Sequence, residues 1–301
     1  MSGLDKDRDI LMITSIIFSK DRALQLDLTL KSIKQNFPQS NNLMVIYTVS
    51  EEHAKSYELL ASEHEGVTFY KQTTSLFLDI SKAVDESQEY VCFFTDDDIV
   101  YSKVTLNKEN LCNLFKSGAA CLSLRLGLNT NMRDYGDGIL REDPFPRIES
   151  MDPFLVWNRT SIPVGGYWSY PLSVDGHIFE KRTIQLFCKE LAVLDKHYSY
   201  QGVRREKYCW QQTPNEFESK LQRFWFDLPP IMGAFKASSV VNSPNNRVQE
   251  STLNRHGDVY SLDQNTLLEK YTNGHRIKLE NLKINNIKCP HTEIDILKGL
   301  Q

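Results

Sequence analysis

The chain has 301 residues, of which 41% are hydrophobic and 25% charged, with a formal net charge of −4. That length can bury one large core or two small ones, and the composition is that of an ordinary globular protein. The mildly acidic balance argues against general nucleic-acid binding. No apolar run approaches a bilayer span, and an opening that holds Asp5, Asp7 and Asp9 does not suit a signal peptide. Six cysteines without a CxxC pair read as reduced, buried thiols of a cytoplasmic protein, not as a disulfide frame or a zinc site.

Strands and helices alternate from the start. A nearly all-apolar strand is predicted over 10–18 and runs into Ser19-Lys20-Asp21-Arg22. A helix follows, with Leu24, Leu26, Leu28, Leu30 and Ile33 among polar residues, until Pro38 and Asn41-Asn42 turn the chain. A strand over 43–49, a helix over 53–64 ended by Gly66, a strand over 67–70 and a helix over 76–87 come next. Then Tyr90-Val91-Cys92-Phe93-Phe94-Thr95, apolar without alternation, reads as a parallel strand covered on both faces. It ends abruptly in Asp96-Asp97-Asp98. Three adjacent carboxylates repel one another and are costly beside a low-dielectric core unless a cation neutralises them. Mg²⁺ or Mn²⁺ is the natural partner, since both prefer hard oxygen ligands and bridge carboxylates to phosphates. An acidic turn or helix N-cap is the plainer alternative. The repeated βα order predicts an α/β fold with a mainly parallel sheet flanked by helices. Right-handed crossovers put loops 19–22 and 96–98 on one sheet edge, beyond the carboxyl ends of the strands, where ligands bind in such sheets.

Further on, a helix is predicted over 108–116 and a buried strand over 119–126, in which Arg125 is either a surface-reaching side chain or a phosphate ligand. Residues 127–163, punctuated by Gly136, Gly138, Pro144, Pro146 and Pro153, read as a long irregular insert of the kind that tends to be functional. In 164–179, Gly165-Gly166 permit close backbone approach, and Tyr167, Trp168 and Tyr170 suit stacking on a sugar ring or base as well as core packing. Asp175-Gly176-His177 leads into a helix predicted from 178 to about 194. Asp175 is then either a plain N-cap or a general base facing a cleft, and His177 a supporting or core histidine. The basic, aromatic stretch 204–226 reads as core packing, and a last strand is predicted within 233–241. The polar loop 242–247 carries Arg247, which could reach a diphosphate. From about 261 the tail reads as a largely helical C-terminal extension; His256, His275 and His291 lie in or just before it, and any of them could complete a metal shell or simply face solvent.

The pattern resembles the GT-A fold glycosyltransferases, in particular family-2-like enzymes of bacterial surface-polysaccharide synthesis. It rests on Phe18-Ser19-Lys20-Asp21-Arg22 before a Leu-rich helix, on Thr95-Asp96-Asp97-Asp98-Ile99 as a DxD-like element, and on Val174-Asp175-Gly176-His177. Together these span roughly the first two-thirds of the chain. The resemblance implies a Rossmann-related catalytic domain over 1–241 with an extension over 242–301 packed on it. It implies metal-dependent transfer of a sugar from a nucleotide-sugar donor to a glycan or lipid-linked glycan acceptor. Ser19, Lys20, Asp21, Arg22, Asp96 and Arg125 would border the donor. Mn²⁺ or Mg²⁺ would be held among Asp96, Asp97 and Asp98: aligning on Ile99 favours Asp97, a strict Asp-x-Asp reading favours Asp96 and Asp98. Trp168, Tyr170 and His177 would meet the acceptor, and Asp175 would take its proton, giving inversion. The family's base lies in a Glu-Asp pair, where this chain has Val174-Asp175. No nucleic acid and no transmembrane segment are implied, and the location is cytoplasmic, with a peripheral place at the inner membrane face left open. The alternatives are a nucleotidyltransferase, which the lack of a Gly-rich, lysine-bearing phosphate loop disfavours, and a catalytically inactive nucleotide- or glycan-binding module of the same fold.

Overall fold

The computed structural model describes residues 11–73, 75–134, 139–200, 213–248 and 256–301. The part of the basic stretch before residue 213 thus lies outside the described residues. The opening apolar runs form β1 (Ile13–Lys20), β2 (Asn42–Thr48), β3 (Val67–Lys71) and β4 (Tyr90–Thr95), joined by α1 (Ala23–Asn36), α2 (Ala54–Glu63) and α3 (Leu76–Glu86). Next come β5 (Asp98–Val100), α4 (Lys108–Lys116) and β6 (Ala119–Ser123). Four short strands follow: β7 (Met132–Asp134), β8 (Leu140–Glu142), β9 (Glu149–Met151) and β10 (Phe154–Asn158). The chain then forms β11 (His177–Glu180), α5 (Lys181–Tyr200), α6 (Pro214–Leu221), β12 (Ile231–Ala234), β13 (Val240–Asn242) and α7 (Gln264–Thr272).

Nine of these strands make one sheet in the order β3-β2-β1-β4-β11-β6-β12-β10-β9. The strands from β3 to β4 run parallel, as do β6 and β12. β11 is antiparallel to both its neighbours and β10 to both of its own. The fold is α/β, with a mostly parallel, mixed sheet between helices. β1 and β4 lack alternation because both their faces are covered. Ile13, Ile17, Cys92 and Phe94 enter one core with α1, whereas Ile16, Phe18, Val91 and Phe93 enter the other with α3, α5 and α6.

Three expectations are corrected. The helix predicted from 178 begins only at Lys181; residues 177–180 form β11, wedged between β4 and β6. Its backbone is paired on both sides, and Ile178 and Phe179 are fully buried, so tertiary pairing overrides the local helical pattern. The irregular insert contains a small hairpin, β7 with β8, and two strands, β9 and β10, that extend the main sheet. The C-terminal segment is less helical than its amphipathic spacing suggests: it has α7 and short 3-10 turns joined by extended chain. It packs Leu267, Tyr271, Ile277 and Ile296 into the α1 core. β13 straddles the expected domain boundary and pairs with β5, placing Asn242 opposite Asp98. No helix among the described residues is long and apolar enough to cross a membrane.

Phe93 is fully buried at the sheet centre, with ring centroids 5.9 Å from Phe18, 6.1 Å from Phe179 and 5.7 Å from Phe217. Phe93→Ala should therefore cost about 3–5 kcal/mol, measured by urea unfolding; a cost below about 1 kcal/mol would contradict this packing.

Candidate active site

β1 and β4 are parallel neighbours with Phe18 opposite Thr95, so the two loops that follow them meet at one sheet edge. Asp96 is held from three directions. Its Oδ2 accepts from Ser19 Oγ at 2.8 Å and from the Lys20 amide at 3.0 Å, and its Oδ1 accepts from Arg22 Nη1 at 2.8 Å. The same Nη1 donates to Asp97 Oδ2 at 2.9 Å, and the other end of the guanidinium donates to the Asn246 carbonyl. Burial alone would lower the Arg22 pKa, but Asp96 and Asp97 outweigh it and hold the arginine above its ordinary value. Thr29, buried in α1, pins the acidic turn from below: its hydroxyl lies 3.0 Å from the Asp96 carbonyl and 2.8 Å from that of Asp98.

Of the other loop residues, Lys20 contributes its amide while its side chain is exposed. Asp21, at a left-handed φ of 52°, accepts from the Ser50 amide at 2.8 Å and so braces the loop against the chain after β2.

A second group of contacts centres on Thr95. Its hydroxyl lies 2.7 Å from Asp97 Oδ1, 3.3 Å from Asp98 Oδ2 and 3.4 Å from Asp175 Oδ1. One hydroxyl carries one proton, so it cannot serve three carboxylates at once. Asn242 Nδ2 adds contacts of 2.9 Å to Asp97 Oδ1 and 3.2 Å to Asp98 Oδ1. Burial, then Asp175 and Asp97, push the Asp98 pKa well above the usual carboxylate range.

Asp175 enters from the chain just before β11, where Gly176 takes a left-handed φ of 68° that favours glycine. Its Oδ2 lies 2.7 Å from Arg125 Nη1 and 3.3 Å from His291 Nε2, and the Tyr167 hydroxyl lies 3.2 Å from His291 Nδ1. Burial would raise the Asp175 pKa, but the bond to His291 and the charge of Arg125 outweigh it and bring it to about 2. Beside it, Glu218 Oε1 on α6 accepts from the Val174 amide at 3.1 Å. Glu218 is pushed the other way, to about 7, by burial and by the Asp175 charge.

The acceptor-side expectations fare unevenly. Trp168 is 0% exposed, donates to the Thr130 carbonyl at 3.1 Å and packs against Trp157 and Phe145. It is a core residue with no face free for a sugar. His177 is also 0% exposed, with Nδ1 3.0 Å from the Pro171 carbonyl, and burial together with Arg125 pushes its pKa down to about 3. It is a neutral core histidine. Tyr170 is half-buried, with its hydroxyl on Glu218. Arg125 is buried on Asp175 and does not reach the surface. Asn242, Asn246 and Glu218 went unpredicted as site residues: each arrives from a distant segment, and Asn and Glu in polar surroundings carry no local signal. His291 stood out only as one of three C-terminal histidines.

As to a divalent ion, no three Asp, Glu, His or Cys side chains among the described residues are gathered into a ready metal cage. Arg22, Thr95 and Asn242 stand between the aspartates. The carboxylate oxygens of Asp97 and Asp98 are nevertheless of the kind a hard cation takes. Apart from Arg22 on Asp97 Oδ2, their present donors are neutral groups, among them the Thr95 amide at 2.8 Å and Asn242 Nδ2 at 2.9 and 3.2 Å.

The sequence matches no family model and no curated protein. Among solved structures it is similar to S. aureus TarS 1-349 in complex with UDP (14% identity, TM-score 0.36, over 58% of this chain and 48% of that one). It is also similar to a Pyrobaculum calidifontis mannosyltransferase in complex with GDP-Man and Mn²⁺ (13%, TM-score 0.28, 37% and 34%). A third similarity is to a Leptospira borgpetersenii cytidylyltransferase (12%, TM-score 0.34, 72% and 72%). The match takes in 29% of another TarS chain, so this chain spans less than half of the TarS structures it resembles. Likenesses this slight carry no weight for function; the chemistry of the site does.

The Asp175 environment has a consequence in acid. A carboxyl that ionises at about 2 when folded and at 3.8 in its ordinary state stabilises the fold above pH ~4 and loses that contribution as pH falls towards 2. Urea midpoints of the wild type and Asp175→Asn should differ at pH 6 and draw together below pH ~4; parallel curves would contradict the assigned environment.

Proposed function

We propose that this chain is a GT-A-type glycosyltransferase that takes a nucleotide-sugar donor at the sheet edge where loops 19–22 and 96–98 meet, and moves the sugar to a hydroxyl acceptor. The observation that carries the reading is the pair of buried cation–carboxylate clusters, Arg22 with Asp96 and Asp97 and Arg125 with Asp175, joined across the Thr95 hydroxyl. A diphosphate leaving group needs positive charge near the bond that breaks, and because Arg22 and Arg125 are already matched by carboxylates, these preorganised clusters suit a bound cation as its source. Asp96, fixed by Ser19, the Lys20 amide and Arg22, suits contact with the nucleoside portion. Asp97 and Asp98 are the residues that would hold Mn²⁺ or Mg²⁺, and a bound ion would act as a Lewis acid on the diphosphate. We assign donor binding and catalysis to 1–241, with 242–301 contributing Asn242, Asn246 and His291 to the same site. Single displacement with inversion, a glycan or lipid-linked glycan acceptor and a cytoplasmic place, free or at the membrane face, complete the reading.

Thermal unfolding with UDP, GDP, dTDP and CDP, each with and without Mn²⁺, tests it. A ligand of the folded state adds roughly 2.7 kcal/mol at a hundredfold excess over Kd, so one diphosphate should raise Tm, and more so with Mn²⁺. Asp97→Asn and Asp98→Asn should remove the manganese-dependent part and weaken Mn²⁺ binding measured by electron paramagnetic resonance. No shift with any diphosphate would overturn the reading, and pyrophosphate release from a nucleoside triphosphate would replace it with nucleotidyl transfer.

A further inference from the structure

Asp175 is better placed as an anchor than as a base. One of its oxygens faces both Arg125 and His291, and the other faces the Thr95 hydroxyl. A carboxylate paired with a buried arginine and hydrogen-bonded by an imidazole has little tendency to take a proton near neutral pH.

Glu218 has the opposite surroundings. α6 starts at the capping residue Thr213 and buries Phe217 and Leu221, and the Phe217 ring packs on Phe18, Phe77 and Phe93. That packing fixes the turn from which Glu218 projects. Its carboxylate accepts from the Val174 amide at 3.1 Å and from the Ser173 hydroxyl, and the Ser173 oxygen in turn accepts from the Asp175 amide at 3.2 Å. The Tyr170 hydroxyl closes the group. Glu218 is therefore wired to the segment that carries Asp175, yet it is only partly buried and forms no ion pair among those described. The charged and titratable groups facing it are Asp175, Arg125 and Tyr170.

We propose that Glu218, and not Asp175, accepts the proton of the acceptor hydroxyl, with Asp175 a positioning residue that holds Arg125 and His291. The proposal rests on the transferase reading above. In the step, the acceptor O–H bond breaks and its proton passes to the Glu218 carboxylate. The freed oxygen pair forms the bond to the anomeric carbon, and the bond from that carbon to the diphosphate breaks with its electron pair leaving on the nucleoside diphosphate. Nothing is oxidised or reduced. The site's electrostatics agree: burial and the Asp175 charge bring Glu218 to about 7, where a general base is most effective.

The test is the pH profile of kcat/KM for nucleoside diphosphate release by the full chain. The donor is the UDP-, GDP-, dTDP- or CDP-sugar whose diphosphate raises Tm, and simple hexoses and water serve as acceptors. The wild type should gain activity with an apparent pKa near 7. Glu218→Gln should lose that limb and about 10²–10⁴-fold in rate while keeping the diphosphate-induced Tm shift. Glu218→Asp should recover the limb in part, and Asp175→Asn should lose rate and keep the limb, moved to lower pH because the Asp175 charge no longer raises Glu218. Glu218→Gln within about threefold of wild type, or Asp175→Asn abolishing the limb, would overturn the proposal. If no diphosphate binds, the transferase reading itself falls; if one binds and Glu218→Gln is unimpaired, only the role of Glu218 falls. A second measurement needs no turnover. The folded carboxyl binds its proton more tightly than the unfolded one, so the stability difference between wild type and Glu218→Gln should shift against the wild type as pH rises from about 4.5 to 7. A flat difference would overturn the proposal.

Discussion

One guanidinium group decides whether the acidic turn after β4 can exist. Two carboxylates about 4 Å apart repel by roughly 4 kcal/mol at an effective dielectric constant of 20, and Asp96 and Asp97 are both largely shielded from water. Arg22 shares a single nitrogen between them at 2.8 and 2.9 Å, and each of those attractions is at least as large as the repulsion it offsets. Lysine could not replace it, since it has no second donor group left to reach the Asn246 carbonyl. The loop after β1, the turn after β4 and the segment after β13 are thus held together by one side chain.

The rest of the site repeats that logic with different partners. Arg125 and His291 do for Asp175 what Arg22 does for the aspartate turn, and the Thr95 hydroxyl touches both groups. The outcome is a division of labour among acids of similar chemistry. Asp175 is held as an anion beside Arg125, whereas burial outweighs Arg22 and raises Asp96. Asp98 is buried among other carboxylates and held well above the usual range. Glu218 is poised near neutrality. Environments that push like groups apart in this way are the means by which one site can hold charge at one point and exchange a proton at another.

Much of this architecture was legible in the sequence, for identifiable reasons. The apolar runs of β1 and β4 lack alternation, which only a doubly covered strand tolerates, and the βα order then brings loops 19–22 and 96–98 together. Asp96 could be singled out because charge stood abruptly beside apolar chain, whereas Arg22 and Asp175 stood out through their places just after β1 and before Gly176-His177 in the family resemblance. What stayed hidden depended on long-range pairing. β11 looks helical locally and is a strand only because β4 and β6 leave room for one. Trp168 looked like a binding residue because an aromatic near paired glycines reads the same whether it faces a cleft or a core, while His177, which read as a supporting or core histidine, was placed at the acceptor only by the family resemblance. Glu218 and Asn242 carry no local mark, since α6 and β13 place them by packing against elements more than a hundred residues away in sequence.

β11 also has a bearing on how such a chain can diverge. Because His177 is paired with Phe93 on one side and Ser123 on the other, the offset between the Asp175 corner and the aspartate turn is set by the ladder of backbone hydrogen bonds. It does not depend on the length of chain that joins them. Segments between those pairings can therefore grow, shrink or change composition while the spacing of the two corners stays constant. The outer parts of the molecule can be remodelled for a new partner without retuning the centre.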